Sequence, residues 1–208
     1  MNRSYASAAT AKLIGPNLRA RVGHCASWCA HELGLGQSGC VEVVASQQLS
    51  ALARVGGLLE DAGIDSWLFG GWAVDFYAGS VTRPHEDVDL AIWLEDLPRI
   101  AELLEADGWR HAPAADEDGG TGYERGPVRL ELTYLVRDGD GRIFTPLRHG
   151  AAVWPDEALS NDVGELRGVR SRLVALASLV RDKSSPRDDP ADAAKDRADF
   201  EQLSRRGA

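Results

Sequence analysis

Between Ser66 and Trp93 the chain reads SWLFGGWAVDFYAGSVTRPHEDVDLAIW, and this stretch constrains the fold more than any other. A short apolar run, Trp67-Leu68-Phe69, meets a Gly-Gly pair. A helix is predicted from about Trp72 to Ala78, closed by Gly79. Asp87 to Trp93 then reads as a second strand, with Asp87 and Asp89 separated by Val88. In a strand, residues i and i+2 share a face. Asp87 and Asp89 should therefore project together, with Val88 and Leu90 turned into a core. His85, two residues earlier, is expected on the same face as Asp87.

Two carboxylates held side by side repel unless a cation lies between them or one takes a proton. Hard divalent cations such as Mg²⁺ prefer such oxygen ligands. A glycine turn that opens a helix can present backbone N–H groups to phosphate. Gly70 and Gly71 are thus candidate phosphate-facing residues, and Asp87 and Asp89 candidate metal ligands. Together they make a layout for a nucleoside triphosphate. Arg83 suits the triphosphate as a bidentate cation. His85 is read as orienting Asp87 or touching phosphate. Asp75, on the predicted helix, is read as a structural ion-pair partner for Arg83 or its loop.

The run Gly70, Gly71, Trp72, Asp75, Gly79, Thr82, Arg83, His85, Asp87, Asp89 resembles the signature of small antibiotic nucleotidyltransferases of the DNA polymerase β-like superfamily. The aminoglycoside 2''-adenylyltransferases and lincosamide nucleotidyltransferases are the groups it is similar to. The strong likeness covers about twenty residues, and a weaker likeness in layout runs from about Ser46 to the C-terminus. The resemblance implies transfer of AMP from ATP to a hydroxyl of a small molecule, an aminoglycoside or lincosamide, with release of pyrophosphate. It implies two Mg²⁺ ions, with Glu131 as third carboxylate ligand and candidate base, although the family often has Asp there. It also implies that a lysine of the C-terminal region, here Lys183, reaches the nucleotide phosphates. Two other readings of the same motif are an antitoxin or regulatory module acting on a protein or tRNA partner, and an inactive binding module. Intact Asp87, Asp89 and Glu131 speak against the last.

The rest of the chain is read more coarsely. Leu49, Leu52, Val55, Leu58 and Leu59 fall at helical spacing over residues 46–62. A helix from Asp96 to about Asp107 is expected to be capped by Asp96. Residues 114–122 read as a loop. Val128 to Val136 reads as a strand with Glu131 alone among apolar neighbours, where a carboxylate is costly unless ligated or paired. Asp138 to Gly141 makes a turn into a hairpin ending near Thr145. A short strand is expected within 162–169, a helix from Ser171 to about Asp182, and a last helix from Ala191 to Ser204 with Pro190 in its first turn. The expected fold is α/β (α+β), a mixed-sheet core with a small C-terminal helical layer. The expected division is an extension over 1–45, a catalytic domain over 46–150 and a mainly helical region over 151–208.

Composition adds boundaries. The 208 residues are 44% apolar and 26% charged, as in ordinary globular proteins. No apolar run approaches a membrane span. A net charge of −9 argues against binding a phosphodiester backbone and is compatible with a cationic substrate. Residues 1–40 carry four basic and one acidic side chain, against 19 basic and 31 acidic in the remainder. Cys25, Cys29 and Cys40, near His24 and His31, lack a standard zinc spacing and are read as reduced thiols. The odd cysteine count and the lack of a secretion signal point to a cytoplasmic setting. Trp72 and Trp154 are read as core, Lys195-Asp196 as a helix contact, and Asp116, Glu117 and Asp118 as a solvated acidic loop.

Overall fold

The computed structural model describes residues 37–114 and 118–205, with side chains described from residue 42. Helix α1 spans Gln37–Asp61 and strand β1 Ser66–Phe69. Helix α2 (Gly70–Ala78) follows directly, then β2 (Val88–Trp93) and a 3-10 turn (Leu94–Asp96). Next come α3 (Leu97–Ala106), β3 (Arg110–His111), β4 (Gly120–Arg125) and β5 (Val128–Arg137). The hairpin β6 (Ile143–Leu147) and β7 (Gly150–Val153) leads to β8 (Leu159–Leu166) and β9 (Val169–Val174). Helices α4 (Leu176–Lys183) and α5 (Pro190–Ser204) close the chain. No described helix is long and apolar enough to cross a membrane.

Among the described residues, nine strands join one mixed sheet in the order β3-β4-β5-β2-β1-β9-β8, with β6 and β7 extending from β5. Strand β2 runs antiparallel to β1 and parallel to β5, and β1 runs parallel to β9. Leu68 pairs with Leu90, Leu90 with Leu132, and Leu68 with Leu173. Paired residues share a face, so these leucines form one continuous apolar surface. All four are fully buried, in one core with Leu49, Leu52, Val55 and Leu59 of α1. At about 25 cal/mol per Å², each such side chain contributes roughly 1.5–3 kcal/mol when withdrawn from water. Helix α1 crosses β9 and β5 and lies beside α3. Helices α2, α4 and α5 pack on one another.

Several sequence expectations need correction. The first helix begins at Gln37, so the expected boundary at residue 45 falls inside α1, where Ala45 is already buried. Residues 1–36, with the cysteine and histidine cluster apart from Cys40, lie outside the described residues, as do Asp116, Glu117 and the Cys40 side chain. The expected helix from Ser171 is strand β9 as far as Val174, and α4 starts only at Leu176. Leu173 and Val174 gain more from joining the sheet next to β1 than from a helical turn. The region 151–208 is therefore not mainly helical, because β8 and β9 occupy its first part. Part of the expected loop at 114–122 is strand β4, paired along its length with β5. Asp96 precedes α3 but its side chain makes no capping hydrogen bond, whereas Asp189 caps α5 by accepting from Ala191 N and Asp192 N.

Helix α1 contains Gly56 and Gly57, and open space lies where a side chain would project from either. Gly57→Ala is expected to raise stability by about 0.5–1 kcal/mol, through helix propensity alone. The midpoint of urea denaturation measures this, and an unchanged or lower midpoint would show that the glycine serves some packing need.

Candidate active site

The sheet register assembles the site. Phe69 of β1 lies opposite Asp89 of β2, and Asp89 opposite Glu131 of β5. The three side chains stand in a row on the face away from the leucine surface. Gly70 begins α2 immediately after Phe69 with φ +66°, and a methyl group there would intrude on the Asp89 carboxylate. A Cβ on Gly71 would come within 2.5 Å of both Arg83 Nη2 and His85 Nδ1. The glycine pair thus makes room for the site's own side chains at the first turn of α2, beside Asp89.

Asp75 organises the loop that follows. It is fully buried on α2, accepts from Thr82 N at 3.0 Å and Thr82 Oγ1 at 2.5 Å, and accepts from His85 Nε2 at 2.6 Å. Gln48 of α1 donates to the His85 carbonyl at 3.1 Å. The His85 ring packs on Trp72, with centroids 4.5 Å apart. His85 precedes β2 and does not share a strand face with Asp87, because pairing begins only at Val88. Its hydrogen bond goes to Asp75.

These elements open on a cleft of about 160 Å³. One wall carries Gly70, Gly71, Arg83, His85, Asp87 and Asp89, and α4, α5 and the turn between them add Lys183, Arg187, Asp192, Lys195 and Asp196. Phe69, Thr133, Thr145 and Trp154 also line it. Trp154 donates from Nε1 to Thr145 Oγ1 at 2.9 Å and meets Phe69 edge-on. Burial pushes the Asp87 carboxyl above its ordinary range, helped by the neighbouring charge of Glu86. Burial pushes Asp89 up further, and the charges of Asp87 and Glu131 add to it. Among the described residues neither Asp87 nor Asp89 joins a salt bridge.

The cations of the cleft are held in ion pairs. Arg83 donates from Nε and Nη2 to Asp199 of α5, at 2.9 Å each. Lys183 Nζ lies 2.9 Å from Asp196 Oδ1 and 3.0 Å from Asp199 Oδ2. Arg187 pairs with Asp196 and lies 3.4 Å from Asp182. Lys195 reaches Glu86 at 2.5 Å. Burial disfavours charge on Lys183, but Asp199 and Asp196 raise its pKa above the usual lysine value.

Of the residues singled out in the sequence, the fold brings together Gly70, Gly71, Arg83, His85, Asp87, Asp89 and Lys183. Glu131 is the exception. It shares the sheet face of Asp89, yet its carboxylate is taken by Arg129 Nε, two residues back on the same strand. Arg129 also donates to Glu124 Oε1 and to the Ala112 carbonyl, at 3.1 Å each. Glu131 is 3% exposed and does not line the cleft. Among the described residues no three such groups gather as a metal cage. Sequence reasoning passed over Arg187 and Asp199, and gave Lys195 only a helix contact. A lone arginine between two helices was the available signal for Arg187. Asp199 had none, because its partners lie more than one hundred positions away at Arg83 and on a different helix at Lys183.

The fold is that of the nucleotidyltransferases. The crystal structure of ANT(2'')-Ia in complex with adenylyl-2''-tobramycin superposes with a TM-score of 0.59, at 19% identity, over 78% of this chain and 90% of that one. The lincomycin-bound lincosamide antibiotic adenylyltransferase LnuA gives 0.56 at 19% identity, over 71% of this chain and 90% of that one. The family model for aminoglycoside-2''-adenylyltransferase matches residues 51–202, and the chain belongs to that family of enzymes. A 2''-aminoglycoside nucleotidyltransferase of Escherichia coli is 33% identical over 60 residues, 27% of this chain, and one of Klebsiella pneumoniae matches equally. The chain spans about a third (34%) of the length of these curated relatives.

Proposed function

We propose that the chain is a Mg²⁺-dependent adenylyltransferase that moves AMP from ATP to a hydroxyl of an aminoglycoside or lincosamide antibiotic and releases pyrophosphate. The observation that carries this reading is the cleft's charge division. Asp87 and Asp89, at the start of the central strand β2 and outside any salt bridge among the described residues, share the cleft with four cations, Arg83, Lys183, Arg187 and Lys195. That division fits a metal-bound triphosphate laid between them.

Asp87 and Asp89 fit a hard divalent cation: both are oxygen donors, burial raises both, the charges of Asp87 and Glu131 raise Asp89 further, and Gly70 leaves space for Asp89. Bound there, Mg²⁺ supplies charge neutralisation at the α-phosphate and lowers the pKa of the acceptor hydroxyl. Arg83, Lys183, Arg187 and Lys195 hold the β- and γ-phosphates in the ground state and the transition state alike. The acceptor oxygen bonds to the α-phosphorus, the bond from that phosphorus to the bridging oxygen breaks, and the hydroxyl proton leaves to a base. Six carboxylates line the cleft, Glu86, Asp87, Asp89, Asp182, Asp192 and Asp196, against four Arg and Lys side chains. That balance favours a cationic acceptor, and an aminoglycoside carries several ammonium groups.

Labelled ATP, Mg²⁺ and a panel of aminoglycosides and lincosamides, read for nucleotidylated product, test the reading. Product from at least one member supports it. A folded chain that modifies none of them overturns it.

Glu131 is the base in this proposal, which requires Arg129 to yield one carboxylate oxygen. Glu131→Gln is then expected to lower turnover by ~10²-fold or more while ATP affinity stays within a few-fold. Breaking the buried pair with Arg129 should also cost about 3 kcal/mol of stability. Kinetics on the folded variant separate the two effects. Lost stability with turnover unchanged would leave Glu131 a purely structural partner of Arg129.

A further inference from the structure

Two of the cleft's four cations share a partner that the proposed reaction does not require. Arg83 and Lys183 come from parts of the chain one hundred residues apart, and both converge on the same carboxylate. Asp199 of α5 takes two hydrogen bonds from Arg83, at 2.9 Å each, and Lys183 Nζ lies 3.0 Å away. Asp199 is 1% exposed and does not line the cleft. It holds the two cations from behind.

We infer that Asp199 is the positioning residue for the phosphate-facing cations, so that the last helix sets the affinity of the cleft for nucleotide phosphate. The inference rests on the proposed function in one respect, that Arg83 and Lys183 face the triphosphate. Arg83 spends Nε and one Nη2 hydrogen on Asp199 and an Nη1 hydrogen on the Pro84 carbonyl at 3.1 Å. A guanidinium has five N–H donors, so one remains on each Nη nitrogen. Lys183 has three donors, two of them committed to Asp196 and Asp199. Each cation is thus held by carboxylates and keeps donors for a ligand. Both side chains carry considerable rotamer freedom, and holding them ready removes an ordering cost from the binding step. Asp199 also offsets the burial that disfavours charge on Lys183.

The test uses the full chain and inorganic tripolyphosphate as the probe, with affinity read by calorimetry. Wild type is expected to bind the anion. Asp199→Asn, confirmed folded by circular dichroism, is expected to bind it at least tenfold more weakly. In the transfer assay the KM for ATP should rise by a similar factor with kcat within a few-fold, a split that a general loss of structure would not give. Because Asp199→Asn leaves the buried Lys183 and the half-buried Arg83 short of a partner, it can fail to fold. Asp199→Glu keeps the charge, moves it by one methylene, and is expected to fold and to bind several-fold more weakly. A folded Asp199→Asn that binds tripolyphosphate as wild type does overturns the inference. So does tighter binding, which would make Asp199 a competitor of phosphate. When Asp199→Asn does not fold, wild-type affinity in Asp199→Glu overturns it equally. Failure of wild type to bind the anion removes its basis. A wild type that binds tripolyphosphate but modifies no antibiotic would refute the proposed acceptor chemistry and leave the role of Asp199 standing.

Discussion

Asp89→Asn is expected to abolish adenylyl transfer and yet leave a chain at least as heat-stable as its parent. The two halves of this result have one cause. Burial and the charges of Asp87 and Glu131 press the Asp89 carboxyl toward its neutral form. An ionised Asp89 therefore costs folding free energy, and a neutral amide of the same shape removes that cost. The same negative charge is what a divalent cation and the transition state need. Its loss should lower turnover by roughly a hundredfold or more. Mg²⁺ should raise the melting temperature of wild type, because a ligand that binds only the folded chain stabilises it, and should leave the variant unmoved. Thermal denaturation with and without Mg²⁺, beside turnover at saturating Mg²⁺, checks all three. Near-wild-type turnover in the variant would remove Asp89 from the metal site.

Gly70→Ala should be nearly as damaging, through a single methyl group. The residue has φ +66°, which an L side chain adopts at a cost of about 1 kcal/mol or more. The added carbon would also intrude on the Asp89 carboxylate. Either Asp89 swings out of line with Glu131 and Phe69, or the start of α2 shifts. We expect a loss of about 1–3 kcal/mol in stability and ~10²-fold in turnover, since small displacements of catalytic groups are costly at this level. Gly57→Ala, with open space around it, is the control that should do neither. A Gly70→Ala enzyme with full activity would show that Asp89 tolerates displacement, and would weaken its assignment as a ligand.

Much of the site was legible because its signals are local. The glycine pair, the helix to Ala78 and the alternation of Asp87, Val88, Asp89 and Leu90 lie within about twenty residues, and both aspartates line one cleft as the alternation predicts, although β2 begins only at Val88. The same kind of local signal announced α1, β5 and α5. It failed where two local options were nearly equal. Leu173, Leu176, Ala177 and Val180 read as one helix face, but the chain divides between β9 and α4 at Ala175. The decision came from β1, whose open edge beside Leu68 had backbone hydrogen bonds to offer Leu173. Strand β4 escaped notice for a similar reason, since its three glycine and threonine positions look like loop until β5 pairs with them.

The sequence by itself determined the frame of the candidate site: a strand, a glycine turn, a helix and a pair of carboxylates, each specified by residues next to it in the chain. Only the tertiary structure decided what those groups meet. It set Asp89 between Phe69 and Glu131, gave Glu131 to Arg129, and drew Arg83 and Lys183 onto Asp199. The physical reason is range. Backbone geometry acts between neighbours and can be read in order, whereas a buried charge takes whichever opposite charge the packing of the sheet and helices brings within reach, at any distance along the chain.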